Sequence, residues 1–286
     1  MKRIVGVVVA RMRSKRLPGK PMLDLAGKPS IERHIERLCM VNGISDIYIA
    51  TSKARGNLPL FEQAERLGVK IYAGAEEDVV ERFVSIGKAS EADALVRIGC
   101  DKPLFCYELL QKNVASYQGE DYIYFKQGVT VGAAHEILSL NALREVHKNY
   151  LGTAIAQYMR EHPHKFDIRP IEADTLYKRP EYRLALDTPE DYRLLKILFE
   201  ALQAQVPIPT REALAYLDDN PQLALINRDV ENKGVNIYSL ALEKEPVFRV
   251  LTDANGAYWV VDRMGYRVSY QEFMRCVLDE KRWAKG

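Results

Sequence analysis

The chain has 286 residues, 41 basic and 39 acidic, for a formal net charge of +2. That near balance excludes a protein that grips nucleic acid through a wholly basic face. The length allows one large domain, or one domain with an appendage. The four cysteines, Cys39, Cys100, Cys106 and Cys276, form neither a C-x-x-C pair nor a zinc spacing, so they read as reduced thiols of a cytoplasmic protein. The apolar run after the two N-terminal cations is too short for a signal peptide or a bilayer span, and no membrane partner is expected.

Ile4–Ala10 is short, β-branched and unbroken, which predicts a strand buried on both faces. Five of the ten residues at 11–20 are then cationic, and Pro18 and Gly19 stop any regular element. A cationic loop at the carboxyl end of such a strand lies where open α/β sheets bind ligands. Five cations that close need a polyanion, and a nucleoside triphosphate is the obvious one. Neither G-x-G-x-x-G nor G-x-x-x-x-G-K-[ST] occurs here.

Ser30–Val41 predicts an amphipathic helix with Ile31, Ile35 and Leu38 on one face. Asp46–Thr51 follows as strand, Leu58–Leu67 as helix and Val69–Ala73 as strand. Asp78–Ala89 predicts a helix with an acidic first turn, and Ala92–Ile98 a further strand. This alternation predicts a mostly parallel central sheet flanked by helices. Residues 121–172 are less regular, with strands at Tyr122–Phe125 and Phe166–Ile171 and helices near Asn141–His147 and Ala154–Glu161. Arg183–Leu186 reads as strand and Pro189–Ala204 as helix with proline in its first turn. Thr210–Leu217 is a short helix and 220–245 is loop-rich. Val247–Thr252 and Ala257–Asp262 flank an Asp-Ala-Asn-Gly turn, a hairpin signal, and Ser269–Leu278 reads as a last helix.

Several segments, in order, resemble the cytidylyltransferases. They are Ala-Arg-x-x-Ser-x-Arg-Leu-Pro-Gly-Lys-Pro at 10–21, Ala-Gly-Lys-Pro at 26–29, Ala-Thr-Ser at 50–52 and Asp-Val-Val-Glu-Arg-Phe at 78–83. Val-Arg-Ile-Gly-Cys-Asp-Lys-Pro-Leu at 96–104 and Leu-Asp-Thr-Pro-Glu-Asp at 186–191 complete the set. The group includes the CMP-Kdo and CMP-acylneuraminate synthetases, and the spore-coat polysaccharide type is most similar. The resemblance covers roughly 1–230. It implies a Rossmann-like nucleotidyltransferase fold, CTP and Mg²⁺. The implied reaction is CMP transfer to an acidic sugar or a related anionic acceptor such as a phosphonate, with pyrophosphate released. The expected layout is a nucleotidyltransferase domain over 1–245, a dimerisation and acceptor arm over 126–165, and a hairpin-plus-helix extension over 246–286.

The resemblance makes Arg11 and Lys20 the main phosphate ligands. Ser14, Lys15 and Arg16 stand in the same loop within reach of a phosphate. Backbone at Val8–Ala10 is expected to read the cytosine, and Ser52 and Arg82 match family positions near the nucleoside. Mg²⁺ takes hard oxygen ligands and few carboxylates. Asp101 and Asp187 both end strands near the first loop, and the resemblance makes them the metal ligands. Asp187 has a second reading as N-cap of the helix at Pro189. Arg97, within a buried strand, needs an anionic partner, from Asp93, a ligand or another carboxylate.

The acceptor side departs from the family pattern at 134–138 and 149–154. His135, Lys178 and Arg183 are the candidates for an anionic acceptor, while His34 reads as core. No Ser-His-Asp or Cys-His arrangement points to a covalent intermediate. In relatives the middle segment crosses to a second subunit. Val129, Val131, Ile137, Leu138 and Leu140 exceed what a surface excursion exposes, so a homodimer is expected. A nucleotidyltransferase for another base, a nucleotide-sugar glycosyltransferase and a non-catalytic nucleotide-binding scaffold are the alternatives.

Overall fold

The computed structural model describes residues 2–14, 16–126, 128–149 and 155–230, and the backbone of 248–252, 258–262 and 267–269. Among these residues the main sheet has seven strands: β1 (Ile4–Val9), β2 (Ile44–Ser52), β3 (Lys70–Gly74), β4 (Ala94–Gly99), β5 (Tyr122–Phe125), β6 (Glu136–Ser139) and β7 (Ile168–Ile171). Their order is β3-β2-β1-β4-β6-β5-β7. β1 to β4 are mutually parallel. β6 runs antiparallel to both β4 and β5, so β5 points the same way as β4, and β7 is parallel to β5. One edge of the sheet therefore collects the carboxyl ends of six strands and the amino end of β6.

Helices cover both faces. α1 (Ser30–Cys39), α2 (Leu58–Leu67) and α4 (Tyr107–Ala115) lie on one side, and α3 (Val79–Ala89), α5 (Leu140–Asn149) and α6 (Ile155–Glu161) on the other. Leu38 of α1 sits against Gly6, where a Cβ would approach the leucine methyls to 3.2 Å, so the glycine lets helix and strand close up. A third apolar cluster lies beside the sheet edge. It joins Leu17 and Leu25 to α7 (Pro189–Ala201), α8 (Thr210–Asp219) and the short α9 (Pro221–Ala224). The arm that follows β1 is thus anchored in the same core as the helices after Asp187.

The structure corrects four expectations. Three of the five apolar residues at 129–140, Ile137, Leu138 and Leu140, are buried in the chain's own core and are not available to a partner face, whereas Val129 and Val131 are half-buried. Ile137 and Leu138 are fully buried in β6, and Leu140 opens α5 against Gly87, with no space there for a side chain. This stretch fills a central strand of the chain's own sheet. Arg183–Leu186 is not a strand. Leu184 N–H donates to Val131 and Leu186 N–H to Asp101, two different segments, so no continuous ladder forms. The unexpected α4 is capped by Cys106, whose Sγ accepts from Leu109 N–H at 3.4 Å. Cysteine is not among the usual N-cap residues, so the start carried no signal. The C-terminal hairpin is present, β8 (Phe248–Thr252) against β9 (Tyr258–Asp262), but Ser269 belongs to a third strand, β10 (Arg267–Ser269). The remainder of the helix expected there lies outside the described residues. No helix of the described residues is long and apolar enough to cross a membrane.

Candidate active site

The basic loop leaves β1 at the shared edge. Ala10 is buried and donates its N–H to Ala50 of β2 at 3.0 Å. The loop closes on itself, Gly19 N–H donating to Met12 carbonyl at 2.9 Å, with Gly19 at φ +70, a conformation suited to glycine. Leu17 anchors it in the third cluster. Ser14 Oγ accepts from Leu17 N–H at 3.4 Å, a local turn contact. Lys15 lies outside the described residues.

Asn57 was not anticipated from the sequence. It is buried, its Oδ1 accepts from Met12 N–H at 2.7 Å, and its Nδ2 donates to Ser52 Oγ at 2.8 Å and Ser52 carbonyl at 3.1 Å. One amide side chain therefore fixes the root of the basic loop to the end of β2, and the expected Ser52 sits directly behind that joint.

Asp101 follows β4 through Gly99, where any Cβ would collide with the Asp101 carboxylate. Its carbonyl accepts from Leu186 N–H at 2.8 Å, which brings the 186–187 segment alongside. Burial pushes the Asp101 carboxyl up, but the ammonium groups of Lys20 and Lys102 outweigh that and hold it below the usual carboxylate range. Asp187 Oδ1 accepts from Lys20 Nζ at 2.9 Å. Its Oδ2 faces Arg16 at 3.2 Å and Arg183 Nη2 at 3.1 Å. Lys20 thus serves both carboxylates, and the structure gathers Arg16, Lys20, Asp101 and Asp187 into one constellation.

Asp187 is not the helix cap. Thr188, in extended backbone at φ −132, caps α7 and forms a reciprocal capping box with Asp191, as an S/T-x-x-acid pattern allows. Asp191 does more than stabilise the helix start. Fully buried, it accepts from Arg183 Nε at 2.8 Å, Asn227 Nδ2 at 2.8 Å and Asp187 N–H at 3.0 Å. Neither Asp191 nor Asn227 was singled out from the sequence as a site residue.

Arg11 and Arg82 form a second group on the β3 side. Arg11 is half-exposed and lies 4.0 Å from Glu76. Arg82 is buried, donates to Glu76 carbonyl at 3.0 Å, and meets no carboxylate at ion-pair distance among the described residues. Burial and the nearby Arg11 charge push its guanidinium down to about 10. Asp78 caps α3, accepting from Glu81 N–H at 2.8 Å.

The three acceptor candidates do not come together. His135 is buried; burial and Lys102 push it down to about 3, so it is neutral. Its Nε2 accepts from Asn113 at 2.9 Å and its ring stands edge-on to Phe125 at 4.9 Å. Arg183 is engaged by Asp187 and Asp191 within the interior. Lys178 pairs with Glu172 at 3.1 Å on the surface. The partner required by Arg97 is Glu136, directly opposite in the β4–β6 register, whereas Asp93 accepts from Arg3 N–H. Burial pushes the Glu136 carboxyl up, but Arg97, Lys102 and the Tyr122 hydroxyl, donating at 2.6 Å, hold it down at about 2. His34, as expected, is core.

A cytidylyltransferase family model matches residues 5–224. An uncharacterized protein of Methanocaldococcus jannaschii is 31% identical over 237 residues, covering 81% of this chain and 97% of its own. The spore coat polysaccharide biosynthesis protein SpsF of Bacillus subtilis is 27% identical over 235 residues, covering 78% and 98%. A solved cytidylyltransferase from Leptospira borgpetersenii superposes with a TM-score of 0.73 at 22% identity, over 83% of this chain and all of that one, which bears on the fold. The match over most of the chain makes this protein a nucleotidyltransferase and a member of the cytidylyltransferase family.

Proposed function

We propose that the protein transfers CMP from CTP to an acidic sugar or related anionic acceptor for surface polysaccharide or glycoconjugate synthesis. The observation that carries this is the convergence of Lys20, Arg16, Asp101 and Asp187 at the sheet edge, in a family of cytidylyl carriers. An acceptor hydroxyl oxygen attacks the α-phosphorus and gives up its proton to solvent, while the bond from that phosphorus to the α,β-bridging oxygen breaks and its electron pair leaves with pyrophosphate. Such a displacement needs charge neutralisation and alignment more than covalent help. Lys20, Arg16 and Arg11 supply cations to the departing phosphates. Asn57 holds the loop that carries them, and Ser52, Arg82 and the backbone near Ala10 flank the nucleoside.

Mg²⁺ belongs to this proposal. Among the described residues no three His, Cys, Asp or Glu side chains cluster to hold a metal. The Asp101 and Asp187 pair suits an ion that keeps several waters and takes phosphate oxygens as further ligands. Asp101 is seated against Gly99 and kept ionised by Lys20 and Lys102, which fits that role. When bound, the ion neutralises charge on the transferring phosphate.

In this reading residues 1–245 are the catalytic domain and 246–286 an extension. A homodimer remains part of the proposal through surfaces other than β6 and the start of α5. Light scattering at micromolar concentration reads it, and a monomer there removes it.

The reaction is tested by pyrophosphate release from CTP and Mg²⁺ across a panel of ulosonic acids and phosphonates. Thermal shifts with CTP, UTP, ATP and GTP accompany it. Release confined to CTP is expected. An ATP or UTP response equal to that of CTP refutes the cytidylyl assignment.

A further inference from the structure

Asp187 holds two different kinds of cation. Arg183 is fixed: its side chain is 8% exposed and it is locked by the fully buried Asp191. Asp191 is fixed in turn by Asn227 and by the Asp187 and Thr188 N–H groups. Arg16 and Lys20 instead come from the basic loop, with side chains 32% and 16% exposed. Among the described residues the carboxylate at ion-pair distance from each of them is that of Asp187, while Asp101 feels Lys20 only through its charge. Arg183 divides its charge between Asp191 and Asp187, so the two loop cations supply the rest of the counter-charge of Asp187.

We propose that Asp187 has a positioning task apart from any metal: it stands in for phosphate, holding Lys20 and Arg16 over the site until a polyphosphate takes them. A triphosphate offers more charge and more oxygens than one carboxylate, and Lys and Arg bind phosphate strongly. The exchange leaves Asp187 with Arg183 as its remaining partner, still aimed at the site and short of two positive neighbours. By linkage, whatever cation then settles on Asp187 tightens phosphate at Lys20 and Arg16, and the effect is reciprocal. The substrate class rests on the proposed nucleotidyl transfer. The exchange itself concerns only polyphosphate and three side chains.

The test is titration calorimetry of inorganic tripolyphosphate with the full chain, in EDTA. Asp187→Asn is compared with wild type and with Asp101→Asn. Asp101 feels Lys20 through its charge but makes no ion pair with a loop cation among the described residues, so its variant measures the general gain from deleting one negative charge. Asp187→Asn is expected to bind tripolyphosphate about tenfold tighter than wild type, as two partly exposed ion pairs no longer compete. Asp101→Asn is expected to gain about threefold at most. An Asp187→Asn gain no larger than that of Asp101→Asn, or a loss, overturns the proposal. Asp187→Ser replaces the asparagine variant should that fail to fold. CTP selectivity in Mg²⁺ is read separately. Its loss removes the CMP-transfer reading and leaves the exchange standing, because tripolyphosphate carries no base.

Discussion

Asp191→Asn is the substitution with the largest expected cost at this site. The carboxylate accepts on Oδ1 from Arg183 Nε and Asn227 Nδ2, both at 2.8 Å. On Oδ2 it accepts from Arg183 Nη2 at 3.1 Å, Asp187 N–H at 3.0 Å and Thr188 N–H at 3.2 Å. Every neighbour is a donor. An asparagine can present an oxygen to only one of the two groups, so its NH₂ must face at least two N–H donors whichever way it turns. The buried Arg183 also loses its nearest counter-charge. Breaking one side of a buried pair costs about 3–5 kcal/mol, and orphaned donors add to that. A domain typically has about 5–15 kcal/mol in all, so the loss is a large share of it. Urea unfolding followed by circular dichroism measures it, with Arg183→Gln and the double variant closing a thermodynamic cycle. The double variant is expected to be less destabilised than the sum of the singles, because the charges are then removed together. A free-energy change for Asp191→Asn below about 1 kcal/mol would falsify the picture of Asp191 as a saturated acceptor.

Asn57→Ala strands Met12 N–H and both Ser52 acceptors, and about 2 kcal/mol of stability should go with them. CTP affinity should fall too, and an affinity equal to wild type would show that the loop does not depend on this joint. Asp101→Asn should keep its unfolding midpoint near wild type and lose pyrophosphate release by about a hundredfold or more, the scale of a lost transition-state electrostatic contact; full activity would dismiss the residue from the chemistry. Burial holds His34 and His135 down at about 4 and about 3. The unfolded chain therefore binds more protons between those values and about 6.5, and stability must rise with pH through that window. From pH 7 to pH 5 each histidine should remove up to about 2 kcal/mol. Urea midpoints at the two pH values measure the drop, and an equal drop in His135→Gln would assign it elsewhere.

The basic loop was legible because two local signals meet there, a β-branched run that must be buried and a dense cationic segment that must not. Pro18 and Gly19 mark the turn, and no distant residue is needed to read any of it. β6 was illegible for the opposite reason. Glu136 is admitted to the sheet only because Arg97 stands opposite it in register, 39 positions away, with Tyr122 donating to the same carboxylate. Taken alone, His-Glu-Ile-Leu has too little alternation to name a strand. The internal partners of His135 and Arg183 were illegible too, since a polar side chain does not announce whether its partner lies inside. The partners here are Asn113 and Asp191.

The Asp-Thr-Pro-Glu-Asp segment shows how local pattern and long-range partners divide the work. Its spacing permits two caps for α7, at Asp187 or at Thr188. Thr188 caps, and Asp191 closes the box behind it. That choice releases the Asp187 side chain from the helix. Asp191 then holds Arg183 while accepting the Asp187 N–H, so the residue that completes the cap also fixes the backbone and one neighbour of the released carboxylate. A motif that reads as an ordinary helix start therefore places a carboxylate at the mouth of the basic loop, 167 positions along the chain from Lys20. The rigidity of that placement comes from a side chain shut off from solvent, whose carboxylate is held by Arg183, Asn227 and two backbone N–H groups.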